Sequence, residues 1–284
     1  MSYRTLLYEV KDRIATITLN RPERLNAINH ELPGELRAAV ETADQDDEVH
    51  VIILQGAGEA FCSGYDLKQF AERSSGVDLS QEMPWDPMED YRVMKKWTED
   101  YSTLLRCYTP TIAKVHGYAF AGGSDIALCC DLLVMAEDAR IGYPPARVWG
   151  VPTTAMWMSR VGPQQAKRML FTGDLIDGVE AKSIGLALDS VPSGDLDSTV
   201  EALAKRIAGV PRNQLMMHKL VVNQALEAQG LLNTQMIATV FDGIARHTPE
   251  GLEFQEMAQE KGFHEAVRHR DSGDWISTKK DKSS

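Results

Sequence analysis

Two glycine-rich turns hold the residues best suited to chemistry: Phe61-Cys62-Ser63-Gly64-Tyr65-Asp66-Leu67, and Gly117-Tyr118-Ala119-Phe120-Ala121-Gly122-Gly123-Ser124-Asp125. Each follows an expected strand and leads towards a helix. Such a junction leaves backbone N–H groups unpaired at the positive end of the helix dipole. Glycine lets a ligand approach that backbone closely. A phosphate site uses this geometry, and so does an oxyanion hole. A plain tight turn is the commoner use of glycine at such a junction. Neither turn has the G-x-x-x-x-G-K-S/T spacing of a P-loop, and G-x-G-x-x-G is absent.

The rest of the composition narrows the chemistry. The chain has 284 residues, 43% hydrophobic and 25% charged, which is ordinary for a globular protein with a large core. Cys62, Cys107, Cys129 and Cys130 show no paired zinc-ligand spacing, and adjacent Cys129 and Cys130 make a poor disulfide pair. The seven histidines include no H-E-x-x-H pair, so no metal site is expected. A net charge of −11 argues against general affinity for nucleic acid. An anionic ligand would need a local cluster of basic groups. No stretch approaches the roughly 20 apolar residues that cross a bilayer, so no membrane partner is expected. The charged start, Met1 to Arg13, lacks the apolar stretch of a signal peptide, and a cytoplasmic location is the expectation.

The elements that must position these turns read as an α/β layered fold. Tyr8–Val10 and Ile14–Asn20 alternate around Lys11-Asp12-Arg13 as a hairpin. A helix is expected from Glu31 to about Asp47, with Leu32, Leu36, Ala39, Val40 and Ala43 on one face. Val51–Leu54, Thr111–Val115 and Leu132–Ala136 read as buried strands, and Asp125–Cys130 as a helix. Residues 73–90 carry two prolines and several acids and read as a loop or lid, followed by a helix over Tyr91–Cys107. Further on, helices are expected at Gln164–Phe171, Val179–Ile184, Leu196–Ala208, Asn213–Ala228 and Leu231–Arg246, with a strand within Leu186–Val191. The expected organisation is an α/β core over residues 1–200, a helical oligomerisation region over 201–270 and a disordered tail over 271–284.

Taken together, the motifs resemble the crotonase (enoyl-CoA hydratase/isomerase) superfamily. The likeness begins with Asn20-Arg21-Pro22 and Leu25-Asn26-Ala27, then takes in both glycine turns and Lys114 to Asp131. It continues through Ile141-Gly142-Tyr143-Pro144, Arg160-Val161-Gly162, Thr172-Gly173-Asp174, Ala181 and Gly185-Leu186. It spans roughly residues 8–270 in the expected order. The resemblance implies an α/β spiral of ββα units with a C-terminal helical trimerisation region, assembled as a homotrimer or a dimer of trimers. It also implies an acyl-CoA substrate, with coenzyme A as part of the substrate and no tightly bound cofactor, as in fatty acid metabolism.

By the same resemblance, the N–H groups of Tyr65 and Gly122 are the oxyanion donors for a thioester carbonyl. Loss of one such donor typically costs about 3–4 kcal/mol of transition-state stabilisation. Lys68 matches a position that reaches CoA phosphate. The backbone of Ser63 and Leu67 matches the adenine pocket, the Arg24, Leu25 and Ala27 stretch lines the same side, and Asp66 is a further substrate-binding candidate. Lys261 and Phe263 match a C-terminal region that contacts CoA, sometimes that of a neighbouring subunit. As plain surface charges, Lys68 and Lys261 would need no ligand.

The sequence departs from the family at its acids. Family hydratases use two glutamates for general acid–base work; here the first position is Asp125 and the second is Pro145, which cannot move a proton. Asp125 is shorter than glutamate by about 1.5 Å of reach, and a misplacement of about 1 Å can cost roughly 10²-fold in rate. Asp125 is therefore either the principal acid/base or an acid that favours the helix dipole and caps the first turn. Tyr143, the Tyr65 side chain, Asp86, Glu89 and Arg147 are weaker substitutes. Hydration of an enoyl-CoA or a related lyase reaction is the expected activity. The alternatives are isomerisation, C–C hydrolysis, thioester hydrolysis, or acyl-CoA binding without catalysis.

Overall fold

The computed structural model describes residues 3–70 and 84–273. The alternating segments form the antiparallel hairpin β1 (Leu6–Lys11) and β2 (Ile14–Leu19). Asp12 and Arg13 both take positive φ, 52° and 65°, which suits a two-residue hairpin turn. Helix α1 (Leu32–Gln45) buries the apolar stripe from Leu32 to Ala43. Then come β3 (Val51–Gly56), the single turn α2 (Leu67–Phe70) and the long α3 (Pro87–Arg106).

Next are β4 (Thr111–Val115), β5 (Tyr118–Phe120) and α4 (Gly122–Cys129), and after them β6 (Leu132–Ala136), β7 (Arg140–Gly142) and α5 (Met156–Thr172). These two strand–strand–helix successions are the ββα units of the spiral. One strand of each joins a six-stranded sheet, ordered β1-β2-β3-β4-β6-β9, and the other a three-stranded sheet, ordered β5-β7-β8. The chain continues through β8 (Leu175–Asp177), α6 (Gly178–Ser183), β9 (Asp189–Val191) and α7 (Leu196–Ala208). Four helices follow: α8 (Arg212–Ala228), α9 (Leu231–His247), α10 (Pro249–Lys261) and α11 (Phe263–Asp271).

Several boundaries differ from the sequence reading. Helix α3 begins at Pro87 rather than Tyr91, because Asp86 caps it by accepting the N–H groups of Met88 and Glu89. The expected loop over 73–90 therefore ends in helix, and its stretch to residue 83 lies outside the described residues. Helix α5 begins at Met156 and breaks at Gly162 (φ 70°), where the sequence reading saw only the part from Gln164. The boundary expected at residue 200 falls inside α7, which packs against β2, β3, β4 and β6 and so belongs to the core. Of the expected tail, residues 274–284 lie outside the described residues.

Candidate active site

The two glycine turns are built against each other. The Cys62 N–H donates to the Tyr118 carbonyl (2.8 Å), and the Phe120 N–H donates to the Cys62 carbonyl (3.0 Å). In the first turn, the Ile28 N–H donates to the Gly64 carbonyl (2.8 Å), and the Asp66 N–H donates to the Ile28 carbonyl (2.9 Å). These bonds flank Tyr65, so the Tyr65 N–H projects from the opposite edge of that strand. In the second turn, Ala121 sits at φ 50°, ψ −122°, an unfavourable region for a residue with a Cβ. Its own N–H donates to the Gly142 carbonyl (3.0 Å), and Gly122 then opens α4. The Gly122 N–H is thus one of the four at a helix start with no intrahelical acceptor.

Only glycine fits the junction. A methyl group at Gly122 would lie 2.7 Å from Cδ1 of Ile28 and 3.0 Å from Cε2 of Tyr65; one at Gly123 would lie 2.3 Å from the Cys62 carbonyl oxygen. The two turns also meet through Gly64, where a methyl group would lie 2.9 Å from the Phe120 carbonyl oxygen and 3.0 Å from Cβ of Ala121.

A cavity of about 480 Å³ opens beside these turns. Arg24, Leu25, Ala27, Ser63, Tyr65, Asp66, Leu67, Lys68 and Phe263, all expected from sequence, line it. The Arg24–Ala27 segment is held by Asn26, whose amide donates to the carbonyls of Ala57 (2.8 Å) and Ala60 (2.7 Å). Asp66 is engaged by Arg21 (3.1 Å), which ties the segment before Ala27 to the first turn. Arg24, Lys68 and Arg270 bring to the cavity lining the local positive groups that an anionic ligand would need on an acidic chain. Lys261 is exposed and lies outside the cavity lining.

Met94, Phe120, Tyr143, Pro144, Pro145, Trp149 and Leu175 add a largely apolar wall. Trp149 adopts φ 89°, and its indole N–H is buried with no acceptor among the described residues. Arg147 is turned away, donating to the Thr172 carbonyl (2.7 Å) and pairing with Asp271 (3.1 Å). Asp86 and Glu89 are taken into the start of α3.

Asp125 does not border the cavity and does not cap α4; it is 1% exposed and accepts the Thr154 hydroxyl (2.5 Å). Burial pushes its carboxyl up to about 8, against the opposing pull of the Thr154 hydrogen bond, with the Asp242 charge adding to the rise. Near neutral pH it therefore holds a proton. Tyr65 and Tyr143 line the cavity and feel the Asp125 charge; burial raises both phenols, and that charge raises them further. The Tyr65 ring stacks on Trp97 at 5.9 Å between centroids.

Sequence reasoning missed Asp242 and Arg246, which reach the cavity from α9. Arg246 donates to Asp242 and, at 2.6 Å, to Asp90 of α3; all three are buried. Burial raises Asp242, and the Arg246 guanidinium opposes that rise. The signal lay in the periodicity. Gln235, Thr239, Asp242 and Arg246 recur at helical spacing inside an otherwise apolar segment, and that polar stripe faces the core.

A model of the enoyl-CoA hydratase/isomerase family matches residues 9–265. The fold is similar to that of a solved enoyl-CoA hydratase from Mycobacterium smegmatis, with TM-score 0.89 and 52% identity, covering 95% of this chain and 94% of that one. A solved enoyl-CoA hydratase/isomerase from Xanthobacter autotrophicus Py2 is similar at TM-score 0.87 and 32% identity, covering 95% of this chain and 98% of that one. Among curated proteins, the hydroxycinnamoyl-CoA hydratase-lyase of Pseudomonas fluorescens is 34% identical over 211 residues, which cover 72% of this chain and 73% of that one.

Proposed function

Because the chain belongs to the enoyl-CoA hydratase/isomerase family, we propose that it adds water reversibly across the double bond of an enoyl-CoA. The observation that carries the proposal is the packing of the two glycine turns against each other, Gly64 on Phe120 and Ala121, with Tyr65 and Ala121 lining one cavity and Gly122 following directly. The Tyr65 and Gly122 N–H groups would hold the thioester oxygen as charge moves onto it, a preorganised arrangement that needs no rearrangement at the moment of reaction. Coenzyme A enters as part of the substrate. Arg24, Leu25, Ala27, Ser63, Asp66, Leu67, Lys68 and Phe263 form its wall, and the acyl group faces Met94, Phe120 and Tyr143.

Asp125 is the proton donor of this proposal. It lies three residues after Gly122, on the same face of α4, and it retains its proton up to about pH 8. The α carbon of a thioester held by Gly122 lies near this face, with the wall phenols between.

Assembly with further copies, as a trimer or a dimer of trimers, belongs to the same reading. Met217, Leu220, Val221 and Val222 of α8 and Leu232, Met236, Ile237, Val240, Phe241 and Ile244 of α9 are exposed. Such an apolar surface is characteristic of an interface. Lys261, outside its own cavity, would then serve CoA bound to a neighbouring copy. A cytoplasmic location fits the four free cysteines. Among the described residues, no helix is long and apolar enough to cross a membrane.

A panel of enoyl-CoA thioesters tests the proposal, read by loss of conjugated absorbance and by product mass. Gain of the mass of water supports hydration. A double-bond shift at unchanged mass supports isomerisation, the second reading, which the inert Pro145 on the cavity wall favours. Tight binding without turnover across the panel would remove both. Asp125→Asn is expected to lower turnover about 10²-fold; unchanged turnover would make Asp125 a structural acid only.

A further inference from the structure

We infer that Asp242 of α9 is the catalytic base of the acyl pocket, supplying the carboxylate that Pro145 lacks. The inference rests on the hydration reading above and names the group that activates the water.

Position carries it first. Asp242 borders the cavity. A methyl group built on Gly150 would lie 3.0 Å from Cβ of Pro145, 3.3 Å from the Tyr143 hydroxyl oxygen and 3.5 Å from Oδ1 of Asp242. Three cavity-lining residues, the inert proline, a phenol and a carboxylate from a different helix, therefore meet around Gly150.

The carboxylate is also held in one orientation. Oδ1 accepts the Val151 N–H at 2.9 Å, and Oδ2 accepts the Arg246 guanidinium. Each carboxylate oxygen has capacity for two hydrogen bonds, so Oδ1 keeps one for a water molecule in the cavity.

A purely structural role would make Asp90, Arg246 and Asp242 a tie between α3 and α9. Asp90 already makes that tie, at 2.6 Å, from outside the cavity lining. A second carboxylate on the same guanidinium adds no further link between α3 and α9; beyond holding Val151, it places an ionisable group on the cavity wall. A buried ion cluster is seldom a net source of stability, so its retention at the cavity points to chemistry. Two carboxylates share one guanidinium here, which leaves the cluster with a basic oxygen. The charged and titratable groups facing Asp242 are Arg246, Asp90, Asp125, Tyr65 and Tyr143.

The step balances without any further reagent. Asp242 takes one proton from water as the water oxygen bonds to the β carbon. The double-bond pair moves towards the thioester oxygen, giving the enolate held by Tyr65 and Gly122. A proton from Asp125, passed on through a wall phenol that gives up its own proton to the α carbon, collapses the enolate, and the proton on Asp242 returns to Asp125 through the same phenols, Tyr143 and Tyr65. The net change is addition of one water.

The test measures kcat and KM against pH on an enoyl-CoA that the unaltered enzyme hydrates, with Asp242→Asn and Asp90→Asn alongside. Asp242→Asn is expected to lower kcat by about 10²-fold or more, with KM within about threefold. Asp90→Asn is expected to lose less than about tenfold in kcat. It should also move the acid limb of the profile to lower pH, because the negative neighbour that opposes ionisation of Asp242 is gone. A structural tie would instead give similar losses in both variants with the limb in place. Near-normal kcat in Asp242→Asn, or an unmoved limb in Asp90→Asn, overturns the assignment. Should Asp242→Asn fail to fold, the Asp90→Asn limb alone decides. Absence of hydration by the unaltered enzyme would be seen before any variant is made, and would remove the hydration reading and this assignment together.

Discussion

The junction of the two glycine turns, through Tyr65 and Ala121, and the inner face of α9, through Asp242 and Arg246, border one cavity, yet they present different parts of the chain to it. The junction offers main-chain N–H groups, aimed by the positive φ of Ala121 and by contacts that leave no room for a Cβ at Gly122 or Gly123, and in the proposed reaction these would hold the thioester oxygen. Helix α9 offers side chains, held by the Val151 N–H and by a guanidinium shared with α3. Backbone chemistry leaves a glycine signature that is readable in one dimension. Side-chain chemistry on an inner helix face leaves only a stripe, whose meaning depends on what the helix packs against.

The two regions should therefore respond differently to substitution. Gly122→Ala has the largest expected effect, a loss of roughly 10²–10³-fold in kcat, since the added methyl pushes Ile28 and Tyr65 apart. Unchanged turnover would reduce the junction to a tight turn. Arg246→Met leaves Asp90 and Asp242 facing each other in a buried site, and should destabilise the chain by about 3–5 kcal/mol in denaturant titration. A loss no larger than that of an exposed pair such as Lys205 with Glu201 would show that the α9 cluster is not fixed as described.

A pH test separates Asp125 from both regions. Its carboxyl has an unfolded value of 3.8 and a folded value of about 8, so the folded chain keeps a proton that the unfolded chain releases between them. The stability this gives is complete below the unfolded value and is lost as pH rises through the folded value. Asp125→Asn should remove that loss, and its unfolding temperature should gain on the unaltered chain between about pH 5 and about pH 8. Parallel curves for the two proteins would contradict the buried, protonated acid. The smallest effect is expected at Trp149, where Phe removes the lone indole donor from the wall. KM should rise by about three- to tenfold with kcat unchanged if the donor meets a bound CoA thioester.

Much of the positioning frame was legible in sequence. The hairpin, α1, β3, β4, β6 and the run from α7 to α9 follow from alternation or helical spacing strong enough to survive in one dimension. Strands β5, β7 and β8 have three residues each, too few for any period to register. Helices α10 and α11 went unassigned. On α10 the buried positions Gly251, Phe254, Gln255 and Ala258 include a glycine and a glutamine, so the apolar period is weak. On the site, the two glycine-rich turns were readable because glycine is demanded there, while the choice of Tyr65 and Gly122 within them came from the family resemblance. Asp242 and Arg246 were not, because α9 carries an apolar outer face that dominated its reading as an oligomerisation helix. Long-range placement of polar groups by packing is what the sequence carries least visibly.

The central claim is that two backbone N–H groups polarise a thioester carbonyl. Vibrational difference spectroscopy on an isotope-labelled acyl-CoA carbonyl, bound to the enzyme, measures that polarisation directly. The expected result is a carbonyl stretch at lower frequency than in free solution, returning towards the solution value in Gly122→Ala. A bound thioester whose carbonyl stretch matches the free molecule in the unaltered enzyme would contradict the account.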